Sequence, residues 1–203
     1  MDRITIKQNA QKMIKGNLWY IWKPMVWLMI ACFVISLVGV ILDGITKTEV
    51  FSSILSVVVS IASTPIAVGY SFYCLGFVRG NKMDAKEVFN FAKEHWLISL
   101  LVSILAALNV MIGMILLVIP GIIAALGLTF YSYVAADNPE LSASEILAKS
   151  WEITRGYKWD LFIFFLSFLG WIILSPFTLF ILYIWLIPYM TIAEVLVYES
   201  LKK

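Results

Sequence analysis

Residues 24–42 read PMVWLMIACFVISLVGVIL, a run that contains no charged residue. Such a run is typical of a transmembrane helix, because about 20 apolar residues are needed to cross the hydrocarbon core of a bilayer. Pro24 fits the first turn of that helix, where a backbone N–H has no intrahelical partner to lose. The run is too long for the apolar region of a signal peptide and precedes no small-residue cleavage motif, so we interpret it as a retained first span.

Five further apolar runs follow the first. The chain of 203 residues is 62% hydrophobic and 14% charged, with a mean hydropathy of +0.92, whereas soluble domains are about half apolar and about a quarter charged. The runs do not alternate between apolar and polar residues, which favours helices over a β-barrel. We predict spans over residues 24–42, 50–78, 96–119, 122–136, 159–175 and 177–198. The sequence therefore predicts an all-α polytopic membrane protein with six transmembrane helices arranged as three hairpins.

Proline marks the expected irregularities of these spans. A kink is predicted at Thr64-Pro65. Pro120-Gly121 is predicted to form a tight outer turn between the third and fourth spans, and Pro176 a turn between the fifth and sixth. The fourth span is expected to be short.

Basic residues are distributed unevenly between the two sides of the predicted membrane. Only Lys47 falls on the far side, and the other fourteen of the fifteen Lys and Arg residues share the side of both termini. These are Arg3, Lys7, Lys12, Lys15, Lys23, Arg79, Lys82, Lys86, Lys93, Lys149, Arg155, Lys158, Lys202 and Lys203. Basic residues in short loops are hard to translocate. We therefore expect a multi-pass protein of the cell membrane with cytoplasmic N- and C-termini.

Polar, amphipathic stretches precede the odd-numbered spans. In the third, Ala143, Ile146 and Ser150 share one helical face, while Glu145 and Lys149 lie on the other. Residues 3–15 and 84–96 have the same pattern. Each hairpin is thus expected to follow an amphipathic interfacial helix whose apolar face enters the membrane surface.

Local motifs recur between these stretches. Asp84 and Ser142 each precede a glutamate by three residues, which is the pattern of a helix capping box. A basic residue followed by glycine ends the first and third stretches, at Gly16 and Gly156. Alternatively, any interfacial helix before a span would share these features. We predict one transmembrane domain, residues 1–203, built from three repeated units over residues 2–80, 83–138 and 141–200.

Glu194 is the sharpest candidate for a ligand-binding residue, because it is ionisable and lies inside the sixth predicted span. Such groups are costly in a membrane and usually face a cavity or a partner. The alternative is that Glu194 snorkels to the headgroups or pairs with Arg79. Arg79 is itself a further candidate for a ligand-binding residue. The shallow depth of Glu194 favours this second interpretation.

Uncharged polar groups within the spans supply the remaining candidates. Asn109 lies deep in the third span, where an amide is expected to bond to another helix or, less often, a ligand. Ser56 and Ser60 belong to a polar stripe along the second span. That stripe could line a path for a solute, but it more often packs closely against a neighbouring helix.

Tryptophan residues recur where the predicted spans meet the lipid headgroups. The amphipathic indole ring favours that depth, so these side chains are predicted to anchor the protein at the membrane interface. The predicted anchors are Trp19, Trp96, Trp151 and Trp159.

No sequence pattern indicates a catalytic, cofactor or metal site. His95 is the only histidine, and Cys32 and Cys74 lie singly within apolar runs. Phosphate-binding loops, nucleophile elbows and zinc-protease helices are not found in the sequence. We therefore expect no enzyme, no cofactor and no metal ion. The basic residues lie among acids beside the spans, so membrane lipids are expected partners rather than nucleic acid.

Several short motifs resemble an uncharacterised bacterial integral-membrane family, known as domain of unknown function 975, over nearly the whole chain. They are Lys15-Gly16-Asn17, Ile119-Pro120-Gly121-Ile122, Tyr131-Ser132-Tyr133, Asn138-Pro139-Glu140-Leu141-Ser142-Ala143, Gly156-Tyr157-Lys158-Trp159, Leu166-Ser167-Phe168-Leu169-Gly170-Trp171, Trp185-Leu186-Ile187-Pro188-Tyr189 and Tyr198-Glu199. The Ile-Pro-Gly turn and the amphipathic segment after it are more loosely similar to the membrane domain of some glycerophosphodiester phosphodiesterases. The resemblance implies the fold and the membrane location, and it brings no catalytic residue.

Two classes of function follow from these observations. In the first, the helices bind or move an amphiphile, such as a lipid or a hydrophobic peptide. In the second, the chain is a non-transporting accessory, assembly or immunity-type membrane protein with an unidentified protein partner. The intramembrane polar residues give the first hypothesis a slight lead.

Overall fold

The computed structural model describes residues 2–202, which form ten α-helices and one short 3-10 helix. The α-helices are α1 (Arg3–Ile14), α2 (Leu18–Thr46), α3 (Val50–Val78), α4 (Lys86–Glu94), α5 (Trp96–Leu116), α6 (Val118–Gly127), α7 (Tyr131–Asp137), α8 (Ala143–Ile153), α9 (Lys158–Leu174) and α10 (Tyr183–Leu201). The 3-10 helix, Ser175–Thr178, follows α9.

Six stretches of the described chain are long and apolar enough to cross a membrane. They are Leu18–Thr46, Val50–Val78, Trp96–Leu116, Val118–Asp137, Lys158–Thr178 and Tyr183–Leu201. No β-strand occurs among residues 2–202. The prediction of an all-α polytopic membrane protein with six spans is confirmed.

The connection between α5 and α6 differs from the predicted turn. The chain reverses at Leu117, whose backbone is extended with φ −167° and ψ 150°, while Pro120 lies in the first turn of α6. Proline is accommodated there because the first helical turn leaves its N–H groups free. Beside the turn, a Cβ on Gly113 would lie 2.9 Å from the Cα of Gly121. Glycine at these positions therefore lets the two backbones approach closely.

The turn predicted at Pro176 is present, but the sixth span begins later than expected. After the 3-10 helix, Leu179 and Phe180 adopt positive φ angles of 50° and 62°. Side chains disfavour this left-handed conformation, so it interrupts the helix. As a result α10 starts at Tyr183 and not at residue 177.

The fourth span is two helices rather than one short helix, since the backbone is irregular between Gly127 and Tyr131. The carbonyl of Gly127 accepts hydrogen bonds from Ser150 Oγ at 3.1 Å and Thr154 Oγ1 at 3.2 Å. Both donors are fully buried on or beside α8. These bonds satisfy a carbonyl at the break and hold α8 against the span.

Protein, and not lipid alone, covers the apolar faces of the three short helices. Helix α1 packs on α10, α4 on α3, and α8 on α5 and α7. Ala10, Ile14, Val88 and Ile146 are each 0% exposed. These faces therefore pack the short helices on the spans, and the location of the three helices at the membrane surface stays a prediction.

Only one of the two expected capping boxes forms. Ser142 and Glu145 make the reciprocal pair of hydrogen bonds at the start of α8. At α4 the carboxylate of Asp84 instead accepts from Lys23 and from its neighbouring backbone N–H, so the first turn has no side-chain cap. The hydrogen bonds from Ser142 lower the pKa of Glu145 below the usual value of a glutamate.

Burial recurs at matching positions in the three long helices that follow the short ones. These helices start at Leu18, Trp96 and Lys158. The third and sixth residues after each start are buried, namely Ile21, Pro24, Ser99, Val102, Leu161 and Phe164. The predicted repeat would produce this register, and it stays a prediction.

The core lies toward one end of the helices, the end that carries Arg79, Asp137 and Glu199, which we call the basic side. Helices α3, α7 and α10 meet there. Residues 31–46 of α2 and 50–62 of α3, which extend to the opposite side, are mostly exposed within the chain. The second helices of the three hairpins thus form the centre of the bundle on its basic side.

Candidate functional site

A network of charged side chains joins the ends of the three central helices. The Arg79 guanidinium donates to both carboxylate oxygens of Asp137 at 2.7 and 2.6 Å, and to Glu199 at 2.9 and 2.6 Å. Lys202 Nζ lies 2.9 Å from Asp137 Oδ2 and 3.2 Å from Glu199 Oε1. The hydroxyl of Tyr198 donates to Asp137 at 3.0 Å. The network therefore ties α3, α7 and α10 together.

The charges of this network balance, because two cations face two carboxylates. Hydrogen bonding to Asp137, with a smaller contribution from Glu199, raises the pKa of Arg79 despite its partial burial. The Asp137 side chain is 13% exposed. Bidentate pairs of this kind are geometrically specific, so the arrangement fixes how the three helix ends meet.

A polar cavity of about 380 Å³ opens beside the network. Its lining residues are Arg79, Asp137, Asn138, Lys149, Ile153, Tyr198 and Lys202. Lys149 donates to the side-chain oxygen of Asn138 at 2.8 Å. Because the other two cations face carboxylates, the uncompensated positive charge of this cavity lies at Lys149.

Glu194 lies below the network, between the central helices. Its carboxylate faces the hydroxyl of Tyr133 on α7, and Cys74 on α3 is close to both. Arg79 does not pair with it, contrary to the alternative drawn from the sequence, because Asp137 and Glu199 occupy the guanidinium. An ionised carboxylate inside a span is costly unless it is paired or hydrated. The structure thus places Glu194 within the bundle, beside neutral groups.

Asn109, Ser56 and Ser60 face outward from the bundle. The amide of Asn109 donates to the carbonyl of Leu105 in its own helix at 2.7 Å. Ser60 bonds to the carbonyl of Ser56 at 2.8 Å, and Ser56 to Ser53 at 2.7 Å. Their residue types had led us to expect a contact between helices or a polar path. Within a single chain these residues do neither, because each bonds to its own helix.

Apolar grooves run along the sides of the bundle, and we name three by the helices that form them. The α3–α5 groove, about 480 Å³, has Lys93 and Trp96 in its lining. The α6–α9 groove, about 360 Å³, includes Lys158 and Trp159. The other lining residues are almost all apolar, and the grooves open on the outer surface of the bundle.

The third groove, the α2–α4 groove, measures about 420 Å³ and also has lysine and tryptophan in its lining. Lys23, Lys86 and Trp27 line it together with Asp84. Lys23 Nζ lies 3.1 Å from Asp84 Oδ1, and this contact lowers the pKa of Asp84. Lys86 then leaves a net positive charge at the end of the groove. All three grooves therefore combine apolar walls, lysine and tryptophan.

The predicted tryptophan anchors are accessible on the outside of the protein. Trp19, Trp96 and Trp159 are 68%, 55% and 71% exposed. Trp151 is partly covered: its ring lies under Lys158 Nζ at 3.2 Å and against Gly127. Their role as membrane anchors stays a prediction.

The N-terminal helix makes a contact that the sequence did not indicate. Lys7 of α1 bonds to Ser167 of α9 and lies over the ring of Phe168, at 4.4 Å. Loss of solvent, with repulsion from Arg3, lowers the pKa of Lys7. Helix α1 therefore connects α9 to α10, on which it also packs.

Sequence reasoning missed most members of the charged network. Asp137, Tyr198, Glu199 and Lys202 stand at the ends of predicted spans, where charged residues are common. The one signal in the sequence was that Arg79 and Asp137 carry opposite charges at the same end of two predicted spans. No feature of the sequence singled out Tyr133, the neighbour of Glu194, except that it belongs to the Tyr131-Ser132-Tyr133 motif of the family resemblance.

Residues 106–203 match the model of a family described as a protein of unknown function, DUF975. The match runs from α5 to the end of the chain and supports the family resemblance over that part. Comparisons with curated proteins and with solved structures found no match. The looser similarity to the phosphodiesterase membrane domain, and a bacterial origin, remain predictions.

Proposed function

We propose that this integral membrane protein binds an anionic amphiphile, a phospholipid in the first instance, in its three lateral grooves. The observation that carries the proposal is the recurrence of lysine and tryptophan in these three apolar grooves. A fourth groove, of about 490 Å³ between α5, α6 and α7, has neither residue in its lining. An acyl chain would occupy the apolar walls, and the lipid phosphate would lie near the ammonium group. Tryptophan favours the same headgroup depth.

The charges near the grooves support an anionic rather than a zwitterionic headgroup. Among residues 2–202, the ion pairs found involve neither Lys86, Lys93 nor Lys158. Each groove therefore has a lysine without a carboxylate partner. With the termini in the cytoplasm, as the basic side favours, these lysines would face the anionic inner leaflet.

The proposal is tested by measuring which lipids co-purify with the full chain in mild detergent. A basic residue near an anionic surface contributes about 1 kcal/mol, which corresponds to about fivefold in affinity. Lys93→Gln with Lys158→Gln should therefore lower retained phosphatidylglycerol several-fold. Lys12→Gln with Lys15→Gln is the matched control, since it removes two lysines that line none of these grooves. Equal retention by both double variants would contradict the proposal.

The accessory function remains a second candidate because of Asn109. Its amide keeps one N–H and one carbonyl oxygen without a partner in its own helix, and the residue is exposed. A helix of another protein could satisfy these groups in the membrane. Loss of a co-purifying protein in Asn109→Leu, with unchanged lipid content, would favour this function.

A further inference from the structure

The polar cavity beside the charged network differs in its lining from the apolar grooves. Of its seven lining residues, only Ile153 has a purely apolar side chain. Its volume of about 380 Å³ lies within the range of small-molecule sites, roughly 300–1,000 Å³. Its cations come from separate elements, since Arg79 follows α3, Lys149 lies on α8 and Lys202 follows α10. The fold therefore collects positive charge here from distant parts of the chain.

The carboxylate in the lining, that of Asp137, already accepts four hydrogen bonds. Its Oδ1 accepts from Arg79 Nη1. Its Oδ2 accepts from Arg79 Nη2, from the hydroxyl of Tyr198 and from Lys202 Nζ. A carboxylate offers about four lone-pair sites. Asp137 therefore has little capacity left to bind a cation or a donor group in the cavity.

The cations of the network, in contrast, keep unused donors. A guanidinium has five N–H groups, and the hydrogen bonds of Arg79 to Asp137 and Glu199 engage one on Nε, one on Nη1 and two on Nη2. One N–H of Nη1 is thus not engaged within residues 2–202. Lys202 Nζ contacts the same two carboxylates, which leaves one of its three N–H groups.

Lys149 supplies the net charge of the cavity. It donates to Asn138 at 2.8 Å and so keeps two further N–H groups. No ion pair found among residues 2–202 includes it. Glu145, one turn earlier on α8, bonds instead to Ser142 in the capping box. Three cations therefore face two carboxylates, and one positive charge remains.

A ligand that suits this cavity accepts hydrogen bonds and carries negative charge. A phosphate group presents oxygens in several directions, which matches donors from three elements better than the two coplanar oxygens of a carboxylate do. Arginine and lysine are also the side chains that commonly bind phosphate. We propose that the cavity between the ends of α3, α7 and α10 and the side of α8 binds a phosphate group, with Lys149 as its main charge partner.

This site is separate from the three grooves. None of its lining residues belongs to a groove, and none of the groove lysines lines it. The phosphate belongs either to a lipid headgroup or to a soluble molecule, and the two sources share the chemistry that the cavity offers. The inference therefore does not depend on lipid binding in the grooves.

Acetylation of lysines tests the site at the level of single residues. The full chain in phosphatidylcholine nanodiscs, which expose both membrane faces, is treated briefly with a water-soluble acetylating reagent, and each modified lysine is quantified by mass spectrometry. One arm adds inorganic phosphate, with sodium chloride of equal ionic strength as the reference, because salt screens exposed charges. The other arm replaces part of the phosphatidylcholine by phosphatidic acid.

A bound phosphate group should protect Lys149 and Lys202 together. Acetylation of both should fall several-fold, whereas that of Lys12, which is exposed on α1 and does not line the cavity, should change little. Lys149→Gln should weaken the protection of Lys202 by about fivefold in phosphate or phosphatidic acid concentration. Because Lys149 is exposed and unpaired in the described chain, this variant should fold normally. Arg155→Gln is the matched control, since it removes a nearby charge outside the cavity.

The two arms identify the source of the phosphate. Protection by inorganic phosphate supports a site for a soluble phosphorylated molecule, and protection by phosphatidic acid alone supports a site for a lipid headgroup. Three results would overturn the proposal: no protection of Lys149 in either arm, equal protection of Lys12, or protection of Lys202 that is the same in Lys149→Gln and Arg155→Gln. None of these would contradict lipid binding at the groove residues Lys93 and Lys158.

Discussion

The guanidinium of Arg79 and the carboxylate of Asp137 form two parallel hydrogen bonds, at 2.7 and 2.6 Å. Arg79 directly follows the last residue of α3 and Asp137 is the last residue of α7, so the pair joins two different hairpins. Glu199 and Lys202 attach α10 to the same pair. The network is the one point at which we find side chains of all three central helices connected by ion pairs in the described chain.

Arg79→Gln should destabilise the folded protein by about 2 kcal/mol, because Asp137 and Glu199 would keep only Lys202 as a cation. For a chain of this size the midpoint of thermal unfolding should fall by about 4–8 °C. The measurement is thermal unfolding in detergent. Lys23→Gln, which breaks the more exposed ion pair with Asp84, should change the midpoint little. Equal shifts in both variants would show that the network has no special role.

Gly127→Ala should destabilise the packing of α8. A Cβ at this position would overlap the ring of Trp151, so the ring and its helix must move, at a cost of roughly 1–3 kcal/mol. Gly170→Ala is the control, because nothing lies within 4 Å of its Cβ position inside α9. It should be neutral or stabilise by about 0.5–1 kcal/mol. Thermal unfolding of the two variants gives the comparison, and a stabilising Gly127→Ala would contradict the structure.

Ile146→Ala should be far more destabilising than Leu147→Ala. Ile146 is 0% exposed within the chain, whereas Leu147 is only partly covered. Removing the buried side chain should cost roughly 2–5 kcal/mol and increase protease cleavage near Lys149. If lipid rather than protein covered this face of α8, the two substitutions would have similar effects in detergent.

Orientation in the membrane is tested by cysteine labelling in a background with Cys32 and Cys74 replaced by serine. A cysteine at Thr48 should react with a membrane-impermeant reagent added to intact cells, and one at Lys82 should not. The reason is that basic residues in short loops are retained in the cytoplasm. Labelling of Lys82→Cys from outside would reverse the predicted topology.

Features that depend on length and local composition were predictable from the sequence. Six spans follow from long uncharged runs such as residues 24–42, and the cap at Ser142 follows from its spacing to Glu145. The turn at Leu117 was not predictable in this way. Pro120 is compatible both with a turn and with the start of a helix, and the choice depends on the close contact of two glycines across the hairpin.

The candidate site was harder to predict, because its members come from distant parts of the chain. Glu194 could be selected alone as an ionisable residue in a span, but its neighbour Tyr133 lies on another hairpin. Asn109 and Ser56 drew attention by residue type, although hydroxyl and amide groups can bond to their own helix. Only the packing of the helices distinguishes these two outcomes.

Site-resolved photocrosslinking tests the central claim most directly. A phosphatidylglycerol with a photoreactive acyl chain is mixed with the full chain, and the labelled peptides are identified by mass spectrometry. We expect adducts on the walls of the grooves, including Ile61, Ile122 and Phe162, and competition by unlabelled phosphatidylglycerol but much less by phosphatidylcholine. Lys158→Gln should reduce labelling at Ile122 and Phe162 while labelling at Ile61 persists. Adducts spread evenly over the exposed faces, with no competition and no effect of Lys158→Gln, would contradict lipid binding in the grooves.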